Sequence, residues 1–226
     1  DTLNCSFNNE DFSINVKENL ELVRKELNLD TIIQLNQVHS SRVITLKNEN
    51  YNITDADGLV TNFKGIGLSI LGADCAPILF YDNVLQIIGA CHAGWRGAVN
   101  NIIETTITKM VNLGSKRNNI TAIIGPTIHK NSYEIKEDVA IIVKNSLFYK
   151  ENSSILFDKK KGEYLFDLPL LLKESLKLSK IKKIGDLDMD TYTNSNLFFS
   201  HRKSTHDSIS QKVRTGRQIS VIGILN

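Results

Sequence analysis

His39, Cys75 and His92 carry the side chains of this 226-residue chain best suited to hold a metal ion or to act as nucleophile and base. Each falls at the end of a predicted strand beside small or glycine residues that let a ligand approach closely, as in Gly72-Ala73-Asp74-Cys75 and His92-Ala93-Gly94. Two imidazoles and a thiolate make a three-ligand set for a soft divalent ion such as Zn²⁺. The fourth tetrahedral position is then left for water, whose pKa the metal lowers to about 7. A site of that kind is catalytic in design. The three residues lie far apart in sequence, without zinc-finger spacing, and each taken singly also reads as a structural histidine or a small core hydrophobe. A metal-free alternative makes Cys75 a thiolate nucleophile and His92 its base.

Several neighbours could serve such a centre. Cys91 adjoins His92, and consecutive strand residues point to opposite faces, so Cys91 is assigned to the core. The same alternation separates Asp74 from Cys75; Asp74 either faces elsewhere or orients a histidine or lysine from behind. Arg96, in His92-Ala93-Gly94-Trp95-Arg96-Gly97, opens a strongly periodic helix, where unpaired amides and a guanidinium together suit a phosphate or another oxyanion; an ion pair with an acidic neighbour is the plainer reading. Trp95 reads as a core or hinge aromatic, or as a platform for a flat base. Late in the chain Arg202 could stabilise negative charge, Lys203 reads as solvated, and Arg217 adds a further cation near the final strand. His129, His201 and His206 sit among polar loop residues and rank below the trio. Asp55-Ala56-Asp57-Gly58 reads as a polar turn, with a carboxylate contribution to the site as the minority alternative.

These residues need elements to position them. Residues 16–27 space their apolar side chains as a surface helix. Residues 31–46 read as two extended pieces flanking a bend that carries His39. Residues 65–82 read as two strands interrupted at Gly72-Ala73-Asp74-Cys75, the second starting after Pro77. Residues 84–90 form a further strand, followed by a helix with Val99, Ile102, Ile103, Ile107, Met110 and Val111 on one side, closed at Gly114. Another strand covers 120–124, helices cover 137–148 and 168–178, a hairpin covers 155–166, and a strand covers 218–225. Strands and helices mix without strict βαβ alternation. The expected class is therefore α+β (mixed α/β): a single layered domain over residues 1–226 with a mixed β-sheet and flanking helices.

Composition narrows the functional class. Apolar residues make up 41% and charged residues 23%, the balance of an ordinary globular protein, and no linker-like segment divides the chain. A formal charge of +2 with dispersed lysines lacks the basic footprint of a nucleic-acid binder; the Lys159-Lys160-Lys161 run reads as a solvated hairpin turn. No apolar run approaches the roughly 20 residues that span a bilayer, and the first residues lack the pattern of a signal peptide. Three cysteines, an odd number, point to free thiols and a cytoplasmic setting.

Gln37-Val38-His39, Asp55-Ala56-Asp57-Gly58-Leu59-Val60-Thr61, Ala73-Asp74-Cys75, His92-Ala93-Gly94-Trp95-Arg96-Gly97, Ile124-Gly125-Pro126 and Phe199-Ser200, taken in order, resemble the YfiH/YlmD-like family. Its members were long labelled laccase-domain or polyphenol oxidase proteins and were later assigned as multifunctional purine nucleoside enzymes. The resemblance runs through nearly the whole chain. It implies a mixed α/β layered domain and a zinc-type site from His39, Cys75 and His92. It also implies phosphorolysis of adenosine, inosine, guanosine and methylthioadenosine, with inorganic phosphate as co-substrate, and deamination of adenosine. Arg96, Arg202 and Asp74 become accessory groups of that site. The older family label keeps a copper-dependent phenol oxidase in play, since copper outcompetes zinc on affinity for such ligands, although five histidines are few for a multicopper enzyme. A Cys-His hydrolase acting on a cell-wall precursor and a binding protein with a vestigial site are the other rivals. The chain also departs from the family. His129-Lys130-Asn131-Ser132 stands where relatives often carry paired cysteines, and 203–217 is a longer polar segment. The family's opening strand and loop are expected to be absent ahead of Thr2-Leu3-Asn4.

Overall fold

The computed structural model of the protein describes residues 3–7, 13–46, 54–207 and 215–226. Its first part runs through α1 (Ser13–Glu26), β1 (Thr31–Ile33), β2 (Val43–Thr45), β3 (Gly58–Thr61), β4 (Ile66–Gly72), β5 (Ala76–Asp82), β6 (Ile87–Ala93), α2 (Trp95–Val99) and α3 (Ile102–Asn112). There follow β7 (Ile120–Ile124), β8 (Glu134–Lys136), α4 (Glu137–Lys144), α5 (Leu147–Glu151), β9 (Leu156–Lys160), β10 (Glu163–Phe166), α6 (Leu168–Leu178), β11 (Lys183–Asp186), α7 (His201–Asp207) and β12 (Gln218–Gly223). The segments 208–214 and 1–2, parts of the predicted polar insertion and of the chain start, lie outside the described residues.

Among the described residues three sheets form, and the mixed α/β class is as expected. A six-stranded sheet in the order β11-β7-β5-β6-β3-β2 is antiparallel in its middle and parallel at both rims. A smaller sheet, β1-β4-β12, packs beside it, and β8-β10-β9 forms an antiparallel meander. Alternation along β6 explains the layering: Ile87, Cys91 and Ala93 join a core with Ile102, Ile107 and Met110 of α3 and Leu171, Leu172 and Leu176 of α6. Ile88 and Ala90 point the other way, into a second core with Leu68 and Ile70 of the small sheet. Both faces of the large sheet are thus covered, which is why its central strands read as unbroken apolar runs rather than as alternating ones. No described helix is long and apolar enough to cross a membrane.

Several elements differ from expectation. The strand predicted at 84–90 starts at Ile87 and runs on through Cys91-His92-Ala93, because Val84 and Leu85 lie exposed in the turn that Asp82 caps by accepting their amides at 2.9 and 3.2 Å. Pro77 is inside β5, not ahead of it, and pairs in register with His92. The helix after His92 is broken: α2 has five residues, and Asn101 at φ 64° redirects the chain before α3 begins. Asparagine is among the few side chains that adopt this left-handed geometry readily. Arg96 therefore sits on a short turn, which removes the argument that a long helix's dipole would hold an anion there. The helix predicted over 137–148 likewise divides into α4 and α5, with Ser146 capping the second. Gly114 closes α3 at φ +114°, as the capping rule predicts.

Candidate metal and anion site

Three separate connections deliver the trio to one place. His39 lies in the bend between β1 and β2, Cys75 in the turn from β4 to β5, and His92 near the end of β6. Their ligand atoms all lie within 4.8 Å of one another. Cys75 Sγ is 3.9 Å from His39 Nε2, and the two imidazoles meet edge to face with centroids 4.8 Å apart. Bond lengths of about 2.0–2.3 Å around a tetrahedral zinc put neighbouring donors roughly 3.5 Å apart. The donor set therefore fits such an ion with small side-chain adjustments. His39 is exposed, Cys75 half-buried and His92 buried, so the cluster opens to solvent on the His39 side.

Asp57 organises two of the three ligands, and it is the residue that sequence reasoning undervalued. Fully buried, its carboxylate accepts the Nδ1–H of His92 at 2.9 Å, the amides of Val38, His39 and Ser40 at 3.3, 3.0 and 2.6 Å, and the Ser40 hydroxyl at 2.7 Å. Its carbonyl also accepts the His92 amide at 2.7 Å. With Nδ1 held as the donor, Nε2 of His92 is left as the ligand atom. The amide bonds also hold His39 at φ 60°, a strained backbone for a histidine. The available sequence signal was Gly58-Leu59-Val60-Thr61 directly after the aspartate, a run too apolar to follow a solvated turn.

Asp74 faces away from both histidines, the first of the two orientations foreseen for it. At φ 92° it makes the sharp turn that presents Cys75, and it is held there on all sides. Its carboxylate accepts the Thr191 hydroxyl and the Arg202 amide, both at 2.6 Å, while its carbonyl accepts the Thr127 hydroxyl at 2.6 Å and the Ile128 amide at 3.0 Å. Asp55 is engaged by Asn36 at 2.6 Å, apart from the cluster.

Electrostatics prepare the ligands. Burial opposes ionisation of Cys75, but the charge of His92 and the hydrogen bond from His39 prevail and hold the thiol at about 6. Burial likewise opposes charge on His92, yet the Cys75 thiolate and Asp57 raise it to about 9. By themselves, then, the pair settles as thiolate beside imidazolium: the sulfur is already in its metal-binding form, while His92 must release a proton to ligate. Cys91, buried in the opposite core, is pushed up to about 12 by its burial and is inert, as strand alternation predicts.

Cations and aromatics border the cluster. Arg96 is exposed and lies over Trp95, 4.3 Å from the ring centroid; Trp95 itself packs on the core and has its outer face taken by that guanidinium. Arg202 donates Nη1 to the Glu134 carbonyl at 2.8 Å and stands 5.2 Å from the Tyr133 ring centroid. Arg217, tied to the Thr215 and Gly216 carbonyls, is weakened as a base by burial, while the charges of Cys75 and Asp74 act to keep it protonated. Of the lesser histidines, His201 adjoins Arg202 at the start of α7, and His206 pairs with the Tyr192 hydroxyl at 3.0 Å. His129 lines a separate cleft of about 300 Å³ with Lys130, Asp167 and Lys173. None joins the trio.

Gly94 shows how tightly the cluster is framed. A Cβ there would stand 2.7 Å from Cys75 Sγ and 3.3 Å from His39 Cδ2. Its φ of −70° suits alanine, so the obstacle is spatial rather than conformational. Gly94→Ala is expected to displace the sulfur, and a zinc ion offered to the trio would be held at least about tenfold more weakly than by the unaltered chain, as changes around ligands commonly do. Competition against a chromophoric chelator measures this, and an unchanged Kd would refute the proposed geometry.

Comparison with known proteins identifies the family. The family described as "multi-copper polyphenol oxidoreductase laccase" matches residues 1–225. The chain is similar to a Rickettsia prowazekii protein named purine nucleoside phosphorylase, at 37% identity over 202 residues, covering 87% of this chain and 82% of that one. It is similar also to the Escherichia coli purine nucleoside phosphorylase YfiH, at 29% identity covering 100% of this chain and 87% of that one. The fold matches the crystal structure of Bacillus licheniformis YfiH with a TM-score of 0.91 at 27% identity, covering 99% of this chain and 86% of that one. From ordered motifs, site and fold alike, the chain belongs to the laccase-domain family that includes the YfiH and YlmD proteins.

Proposed function

We propose that this protein is a zinc-dependent purine nucleoside enzyme of the cytoplasm, a single catalytic unit that phosphorolyses adenosine, inosine, guanosine and methylthioadenosine and deaminates adenosine. The observation that carries the reading is the convergence of His39, Cys75 and His92 donors within 4.8 Å, in a chain whose relatives are named purine nucleoside phosphorylases. Zinc, when bound by these three residues, supplies Lewis acidity at the exposed side of the cluster. Everything else is the work of the chain. Asp57 fixes the tautomer and angle of His92 and the backbone of His39. In phosphorolysis a phosphate oxygen bonds to the ribose anomeric carbon, the bond to the purine nitrogen breaks, and the purine leaves with the electron pair and takes up a proton. Arg96 and Arg202 balance the phosphate charge during that exchange, and Asp74 positions Arg202 through its backbone amide.

Purified protein incubated with adenosine, with and without phosphate and a chelator, tests this directly. Adenine formed only with phosphate, inosine formed without it, suppression of both by chelator, and about one zinc per chain are the expected results. Absence of either product at full zinc loading would overturn the reading. Arg96→Ala should raise the phosphate KM about tenfold or more, the scale of a lost hydrogen bond to a charged group, while deamination changes less than twofold. Equal losses would make Arg96 structural.

A second reading has an observation of its own. The depressed Cys75 thiol beside the His92 imidazolium is the arrangement of a cysteine nucleophile and its base, and it predicts activity lost to stoichiometric alkylation but insensitive to chelator. A multicopper oxidase is less well supported: among the described residues a single three-ligand cluster is found.

A further inference from the structure

The bend that carries His39 is held by hydrogen bonds and not by packing. Between Leu35 and Val43 no residue is buried, and Val38 and His39 are exposed. On one side Asp57 takes the amides of Val38, His39 and Ser40, which fixes the bend relative to His92. On the other side stands Gln37. Its side-chain amide donates from Nε2 to the Leu71 carbonyl and accepts the Leu71 amide at Oε1, both at 2.8 Å. Leu71 lies beyond the end of β1, whose last pair with β4 is Ile33 with Leu68, so a side chain continues the ladder after the strand has turned away. A primary amide suits the task because it offers a donor and an acceptor side by side, as a peptide group does.

We propose that Gln37 is a positioning residue of the metal site, setting the separation of His39 and Cys75 so that both reach one ion. This rests on the zinc reading of the trio. Leu71 precedes Cys75 by a tight turn: a Cβ on Gly72 would stand 3.0 Å from the Cys75 carbonyl oxygen. Cys75 is otherwise anchored away from His39, through Asp74 to Thr127, Ile128, Thr191 and Arg202. Among the described residues, the Gln37 pair is the one hydrogen-bonded link between the segment 71–75 and the bend 34–42, apart from the 3.9 Å contact of the two ligand atoms themselves. Asp57 therefore gauges His39 against His92, and Gln37 gauges it against Cys75. With the Gln37 bonds gone, an exposed bend with no buried side chain has nothing to hold His39 at the sulfur.

A double-mutant cycle separates positioning from mere bracing of the fold. Gln37→Met keeps the length of the side chain and removes both bonds. Zinc affinity, read by competition titration, should fall about tenfold in the otherwise unaltered chain and less than about twofold where His39→Ala has already removed the ligand that Gln37 places. The cobalt-loaded Gln37→Met protein should keep its sulfur-to-metal charge-transfer band, since Asp74 still holds the turn that presents Cys75. If the methionine variant loses its fold, Gln37→Glu, which keeps the acceptor for the Leu71 amide, takes its place in the cycle. Equal losses in the two backgrounds would make Gln37 a brace of β4 and overturn the proposal, and so would an unchanged Kd in the first background or loss of the charge-transfer band. Each of those results leaves the trio a zinc site. Wild-type protein that takes up no zinc would overturn the zinc reading together with the proposal.

Discussion

Asp57→Asn is expected to lower zinc affinity by about 10- to 100-fold, the scale of losing a carboxylate behind a metal-bound histidine. This carboxylate has more to lose than most, because five donors from two ligand segments converge on it. An asparagine has one acceptor oxygen and turns an N–H toward donors, so either His92 Nδ1–H or the amides around His39 meet a like group. Competition titration reads the affinity, and an unchanged Kd would sink the idea. Ser40→Ala removes one donor only, and it should give a smaller loss if the fold fails to tolerate the asparagine. The same bonds carry a pH signature. Burial works against ionisation of Asp57, but His92 and Ser40 prevail and hold it at about 2, below its unfolded value near 3.9. A depressed folded pKa means stability that is fully present above about pH 4 and lost as pH falls toward 2. In the asparagine variant, acid unfolding should lack this contribution.

Cys75→Ala should abolish metal retention. With about 10–16 kcal/mol as the scale for a protein-held zinc ion, removal of one of three protein ligands costs on the order of a few hundred- to several thousandfold in affinity. Elemental analysis after gel filtration should find well under about 0.1 zinc per chain in the variant. The fold should survive, because the turn around Cys75 is maintained by Asp74 with Thr127, Thr191, Ile128 and Arg202, not by the thiol. Activity alone would not separate the metal and thiol readings, since both need the sulfur. Metal content does: a variant with near-normal zinc refutes the three-ligand site.

The chemistry-bearing trio was legible in the sequence because its residue types are scarce and each falls where an apolar run stops. Cys91 could be set aside by alternation alone. Asp57 was not legible as an organiser, because its importance arises from contacts across 17 to 35 positions of sequence. The single long helix read from periodicity after His92 failed because the apolar repeat continues across the break at Asn100-Asn101, where backbone geometry, not hydrophobicity, ends the first helix. β8 and β11, three and four residues long and rich in charge, take their strand form from β10 and β7 and not from their own pattern. Long buried elements such as α6, by contrast, were read to the residue.

Asp74 joins two parts of the molecule that are 128 positions apart: its backbone sets the presentation of Cys75, and its side chain anchors the amide of Arg202. For sequence divergence this means that the turn carrying Cys75 and the segment carrying Arg202 do not drift independently. A change at position 74 disturbs both at once, and a change that moves α7 is transmitted to the residue that presents the sulfur. Sequence change is therefore freest at positions that touch neither arm of Asp74, and compensating substitutions are to be sought among Thr127, Thr191 and Arg202, its immediate partners.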